Sequence, residues 1–186
     1  MASHNVVIKK RYAAYNVDAY NRTAIFEADV DNGCVAALKS YSENEGEGIV
    51  WKAEQATATD KGLWMATSPE VVISRVFDGD PDNGVAALDY KGIVNDPRAF
   101  YNIAGYAVDM IKMVPGDVYE MTGAGIDGIA DATYLVPDTA DYKLKAASAA
   151  GDGCALRKIG TSYLHIGNGA LVKTPVQTYK FEVEAN

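Results

Sequence analysis

The chain has few of the residues that usually carry chemistry: two cysteines and two histidines among 186 residues. Cys34 and Cys154 lie far apart and form no CxxC pair, so no disulfide framework or redox motif is suggested. They read as small buried apolar residues or as free thiols of a reducing compartment. No Cys/His pair has zinc-finger spacing. His4 sits near the start, which leaves His165 as the one histidine of the body, with no GxSxG or similar nucleophile motif to serve. Long apolar runs are missing too, since none approaches the ~18–20 residues that cross a bilayer. Val6-Val7-Ile8 runs straight into Lys9-Lys10-Arg11, which is no secretory signal. A soluble chain without a membrane partner is expected.

Basic residues are outnumbered. Seventeen Lys and Arg face twenty-five Asp and Glu, for a net charge of −8 and a pI near 4.7. An acidic surface repels phosphate, so nucleic acid is not an expected partner. The imbalance is uneven. Residues 1–22 hold Lys9, Lys10, Arg11 and Arg22 against Asp18 alone, a balance of +3, and the rest therefore carries −11. Prolines number six against seventeen glycines, and 48% of residues are hydrophobic. That composition suits one folded, turn-rich domain, or two small ones sharing a core.

Strand signals dominate. In residues 176–184, Tyr179, Phe181 and Val183 share one face while Lys180, Glu182 and Glu184 share the other, the period-two pattern of a half-buried strand. Residues 161–166 and 117–122 alternate likewise. Residues 71–77 are nearly continuous and β-branched, which predicts a more central strand. Shorter candidates are 49–53, 134–136 and 142–146. Glycine-rich turns at 123–125, 151–153 and 167–169 separate them. The expected fold is mainly β, an antiparallel sandwich or barrel.

Two segments depart from this pattern. Over residues 97–113, Phe100, Ile103, Ala107, Met110 and Ile111 approximate helical spacing, with Asp96 as N-cap and Pro97 in the first turn, so a short helical segment is expected there. Residues 1–24 show neither period. Their tyrosines suit an interface, and the expectation is an extended N-terminal arm, with folding back on its own body as the alternative. The β-rich body, 25–186, would be one unit or two small subdomains meeting near 95–115.

Each motif has a plain structural reading. Gly123-Ala124-Gly125-Ile126-Asp127-Gly128 matches GxGxxG, but a strand-like segment follows instead of a helix, so a glycine-rich hairpin is expected and no nucleotide cofactor. Asp31-Asn32-Gly33 is echoed at Asp82-Asn83-Gly84, a turn built twice. Asp78, Asp80 and Asp82 alternate as in a calcium loop, yet Pro81 and a late Gly84 depart from that template. A solvated acidic turn is the default there, and ion binding the alternative. Trp51 and Trp64 suit core packing or a sugar platform. No residue pair is nominated for catalysis.

The run Tyr20-Asn21-Arg22-Thr23-Ala24-Ile25-Phe26-Glu27-Ala28-Asp29-Val30-Asp31-Asn32-Gly33 resembles the N-terminal region of small proteins encoded beside the major capsid protein in many tailed phages. Trp64-Met65-Ala66-Thr67-Ser68-Pro69-Glu70, Asp96-Pro97-Arg98-Ala99-Phe100, Pro115-Gly116-Asp117 and Tyr179-Lys180-Phe181-Glu182-Val183 are similar to later blocks of that group, in order. Residues 78–88 have no counterpart in the pattern. The resemblance implies a non-enzymatic decoration protein on the capsid exterior, with the major capsid protein as partner and self-association around a symmetry axis. Contact with the capsid is then expected through Lys9, Lys10, Arg11, Tyr12, Tyr15, Tyr20, Arg22 and Phe26. A carbohydrate- or host-binding module on the virion is the alternative, and a carboxylate-pair hydrolase a third possibility.

Overall fold

The computed structural model describes residues 3–42, 49–70, 72–77, 88–94, 97–166 and 174–186. In chain order, β1 (Val7–Arg11) leads through two 3-10 turns, Ala13–Tyr15 and Asp18–Tyr20, to β2 (Asn21–Ile25). Next come β3 (Val35–Tyr41), β4 (Val50–Gln55), β5 (Trp64–Ala66), β6 (Val72–Phe77) and β7 (Leu88–Val94). A 3-10 turn at Pro97–Ala99 precedes β8 (Ala107–Lys112) and β9 (Val118–Met121). The chain ends with β10 (Tyr134–Pro137), β11 (Leu144–Ala147), β12 (Ala155–Ile166) and β13 (Thr174–Ala185). The protein is mainly β, as its alternating segments imply.

Strands β2-β4-β3-β5-β8 close a barrel, and β1-β9-β13-β12-β10-β11 form a six-stranded antiparallel sheet. One barrel pair, β2 with β4, is parallel, which an all-antiparallel expectation had not allowed for. Five strands leave a narrow interior, so the side chains inside must be small or few. Ala24, Ala36, Ala53 and Ala66 line it, with Phe26, Trp64, Val108 and Met110 filling the remainder. The outer face of the barrel carries Val35, Met65, Ile111 and Met113. These pack against Tyr119, Met121, Leu135, Leu156, Phe181 and Val183 of the sheet. Truncating a large side chain in such a core costs about 3–5 kcal/mol, so Phe26 and Phe181 each anchor one lobe.

This double core explains the largest departure from expectation. Residues 97–113 are not a helix: a single 3-10 turn is followed by β8. Val108 and Met110 point into the barrel, whereas Ile111 and Met113 point into the core between the lobes. β8 alternates exposed and buried from Ala107 to Met110, but Met110 and Ile111 are buried in succession, and that break in the period of two lets the apolar spacing imitate a helix. Gly105, at φ +77°, also turns the chain before any helix could continue.

Other expectations are corrected in detail. β6 pairs with β7 in a two-stranded ribbon and, among the described residues, has no central place in a larger sheet. Residues 123–128 are not a hairpin turn, because β9 and β10 are not neighbours; the loop carries the chain past β13 and β12. Asp31-Asn32-Gly33 does form a turn, closed by the Cys34 amide on the Asp31 carbonyl at 3.2 Å. That turn leads into β3 without joining paired strands. Its echo at 82–84 lies outside the described residues.

Residues 3–24 are woven into the body. β1 is an edge strand paired with β9, and β2 is a barrel strand paired with β4 and β8. Asn5 and Val6 are buried, as is Ala14. An apolar Val6 and Ala14 with a hydrogen-bonded Asn5 can settle on the body, which is the folded-back alternative to a free arm. The two lobes meet at residues 113–117, between β8 and β9, but β1 returns to the sheet, so the division is not sequential.

Candidate interaction surface

Of the expected contact residues, the basic ones on β1 remain at the surface but are held. Lys10 Nζ lies 3.0 Å from Glu120 Oε2. Arg11 donates to the Gly116 carbonyl through Nε at 3.0 Å and Nη2 at 2.6 Å, and it reaches Glu182 at 3.3 Å. Lys9 Nζ sits 5.6 Å over the Tyr12 ring. Tyr15 is 76% exposed and stands edge-on to Tyr12. Tyr12 and Tyr20 pack their rings against the inter-lobe core. Arg22 lies between two indoles, 3.9 Å from the Trp51 ring and 4.5 Å from Trp64. Phe26 is the correction. It is buried in the barrel, edge-on to Tyr142, so it cannot touch a partner.

A second surface, not anticipated in the sequence, is the outer part of β12 and β13. β10 pairs with β12 only at Leu156 and Arg157, and β9 pairs with β13 only over residues 179–182. Beyond those points, Thr161 to Ile166 pair with residues 174–179 and, among the described residues, with nothing else. The buried face of the sheet, with Phe181 and Tyr179, continues along this ribbon as Thr161, Tyr163 and His165. Tyr163 is 63% exposed there, and Ile159 at the base is 47% exposed. A twelve-residue strand pair thus carries an inward-type face out beyond the body. His165, the body's one histidine by sequence, is exposed on that ribbon rather than set in a cleft.

Two clefts of about 560 Å3 each flank the barrel. One contains His4, Asp31 and Cys34. His4 Nδ1 is 2.7 Å from Asp31 Oδ1, and its ring stacks on Tyr101 at 5.0 Å. The pair looks like a base and its orienting acid, but the thiol beside it is unsuited to attack. Burial, chiefly, pushes Cys34 up to about 12, and burial does the same to Cys154. At neutral pH a thiol of that kind is a thiolate in only about one molecule in 10⁵. Sequence reading missed the His4–Asp31 pair because the partners are 27 positions apart and no local pattern links them.

The other cleft lies between β1, β2 and β8, against residues 67–70. Glu70 accepts the Val7 amide at 3.1 Å and the Asn32 Nδ2 amide at 3.2 Å. Burial nevertheless raises its carboxyl above the usual range. The Thr67 hydroxyl is buried and, among the described residues, has no hydrogen-bond partner. The acidic loop residues Asp78, Asp80 and Asp82 lie outside the described residues. Among the described residues no group of three or more metal-ligating side chains is assembled, and no helix is long and apolar enough to cross a membrane.

Comparison with protein-family models, with curated proteins and with solved structures gives no match.

Proposed function

We propose that this chain is a structural virion protein, bound to the outer surface of a tailed-phage head, where it joins neighbouring capsid subunits and carries out no catalysis. The β12–β13 ribbon supports this most strongly. A two-stranded ribbon is marginal in water by itself, and this one presents Tyr163 and Ile159 at its surface. Exposed aromatic and β-branched anchors on a strand pair are what a protein partner buries. The sequence blocks that resemble capsid-adjacent proteins point the same way.

The basic β1 edge supplies a second contact. Lys9 and Tyr15 are presented outward, while Lys10 and Arg11 are paired with Glu120 and Glu182 of the sheet. The acidic remainder suits the solvent side, with further copies of the chain around a symmetry axis. Many identical copies multiply a modest contact energy into head reinforcement. The raised thiols of Cys34 and Cys154 weigh against thiol catalysis. Quantitative mass spectrometry of purified mature particles tests the proposal. The chain is expected at a fixed ratio to the major capsid protein, and its absence from the particle would overturn the assignment.

A further inference from the structure

The cleft that contains His4 and Asp31 has a volume of about 560 Å3, inside the ~300–1,000 Å3 that ligand sites occupy. Its wall is fixed from two directions. The His4 amide donates to the Arg98 carbonyl at 2.9 Å, and the His4 ring is held by Asp31 and stacked on Tyr101. Tyr101 precedes Asn102, whose backbone exchanges hydrogen bonds of 2.8 and 2.9 Å with Val30. A stacked pair of rings is thus anchored on the cleft wall, with Tyr101 still 39% exposed.

The charged lining is one-sided. Asp29, Asp31 and Asp141 stand against Lys143 alone, a formal balance of −2 with His4 neutral. Lys143 is itself tied to Asp141, 3.4 Å from its Oδ2. Asp29 is exposed and spends Oδ1 on the Ala104 amide at 2.8 Å. Its other oxygen takes no hydrogen bond or ion pair among the described residues. With His4 Nδ1 at 2.7 Å from Asp31 Oδ1, the ring proton lies there, and Nε2 of the neutral imidazole is an acceptor. Carboxylates and such a nitrogen accept hydrogen bonds and offer none, so they select a cationic, donor-rich group.

Among the described residues no three of these side chains gather as metal ligands do, which leaves an organic cation. A guanidinium meets both features of the wall. Its in-plane N–H groups suit a carboxylate, and its flat face suits an exposed tyrosine ring. An ammonium has no such face. Ile103, 53% exposed, and Tyr106, 69% exposed, follow Tyr101 on the same segment. They offer apolar surface to a polypeptide that carries the guanidinium. We propose that this cleft receives an arginine side chain of a protein partner, stacked on Tyr101 and hydrogen-bonded to Asp29. The site goes beyond attachment to a head and does not rest on it.

The test uses the full chain and amide-resolved NMR. Four probes are titrated: Nα-acetyl-arginine amide, its neutral citrulline counterpart, Nα-acetyl-lysine amide and methyl glucoside. The arginine probe is expected to shift the amides of residues 29, 31, 101 and 141, with a Kd of about 1 mM or tighter. Citrulline should bind at least about tenfold more weakly, because its hydrogen bonds to the carboxylate lose their charge. The lysine probe should be weaker by about threefold, the worth of stacking at an exposed site. Asp29→Asn should weaken the arginine probe at least about tenfold, and Tyr101→Ala about threefold. Both positions are exposed, and asparagine keeps an acceptor for the Ala104 amide, so both variants should melt as the wild type does. No response to the arginine probe, or shifts confined to other residues, would overturn the proposal. So would citrulline, lysine or glucoside binding as tightly, or wild-type affinity in either variant.

Discussion

Asn32 is buried at the centre of a polar knot that no local pattern announces. Its side-chain amide donates to the Ser68 carbonyl at 2.8 Å and to Glu70 at 3.2 Å. Its Oδ1 accepts the Ser68 amide at 3.1 Å and the Asn102 side chain at 3.2 Å. Its own carbonyl takes the Asn5 side chain at 2.9 Å. Next to it, Gly33 holds φ at +89°, and a Cβ there would lie 2.6 Å from Asn5 Nδ2. The Asn-Gly pair thus exists to let three distant segments meet, which is why it closes a turn without making a hairpin. Asn32→Ala should destabilise the protein by about 2–4 kcal/mol, since several buried groups lose partners together; urea unfolding measures it. At this scale the sequence showed the turn residues, because turn chemistry is local. It did not show Asn5, Asn102 or Glu70 as their partners, because those bonds span 27 to 70 positions.

Strands were legible where one face is wet. β13 alternates because Tyr179, Phe181 and Val183 meet the core while Lys180, Glu182 and Glu184 face outward. β8 was not legible, because Met110 and Ile111 are buried in succession, one in the barrel and one between the lobes, and break its alternation. The edge strand β1 was not legible either, since Lys9-Lys10-Arg11 has no apolar alternation. Charged edge strands are protected from pairing with foreign strands by that composition. β1 is instead held by side-chain chemistry. Glu120 on β9 sits between Lys10 on β1 and the Thr178 hydroxyl on β13. Burial by itself would raise the Glu120 carboxyl, but Thr178, Lys10 and Lys180 outweigh it and hold it below the ordinary range. A carboxyl lowered by folding stabilises the native state above its unfolded value, ~4.3 for glutamate. That contribution fades as pH falls through the lower folded value. Glu120→Gln should cost about 1.5–3 kcal/mol at pH 7, the scale of hydrogen bonds to a charged group. The gap between variant and wild type should close in acid, as thermal unfolding across pH would record.

At the scale of the whole molecule, two lobes share one core and two features extend from it. The barrel and the sheet bury Met65, Ile111, Tyr119 and Phe181 against each other, so neither lobe is expected to persist without its neighbour. β6–β7 is a paired ribbon whose described residues join no larger sheet, and the outer part of β12–β13 runs beyond its pairing with β9 and β10. The broad β class followed from alternation and glycine-rich turns, whereas lobe boundaries did not, because β1 leaves the barrel's sequence neighbourhood to join the sheet. Removing residues 1–24 would take away β1 and most of β2, so point variants are the proper probe of attachment. The decisive measurement is rebinding of purified chain to phage heads stripped of it, followed by sedimentation and quantitation. Wild type is expected to rebind saturably, and Tyr163→Ala combined with Ile159→Ser should weaken it at least about 30-fold, as loss of an interface hot spot does. Failure of the wild-type chain to rebind would contradict the account, and equal binding by the folded double variant would remove the ribbon from it.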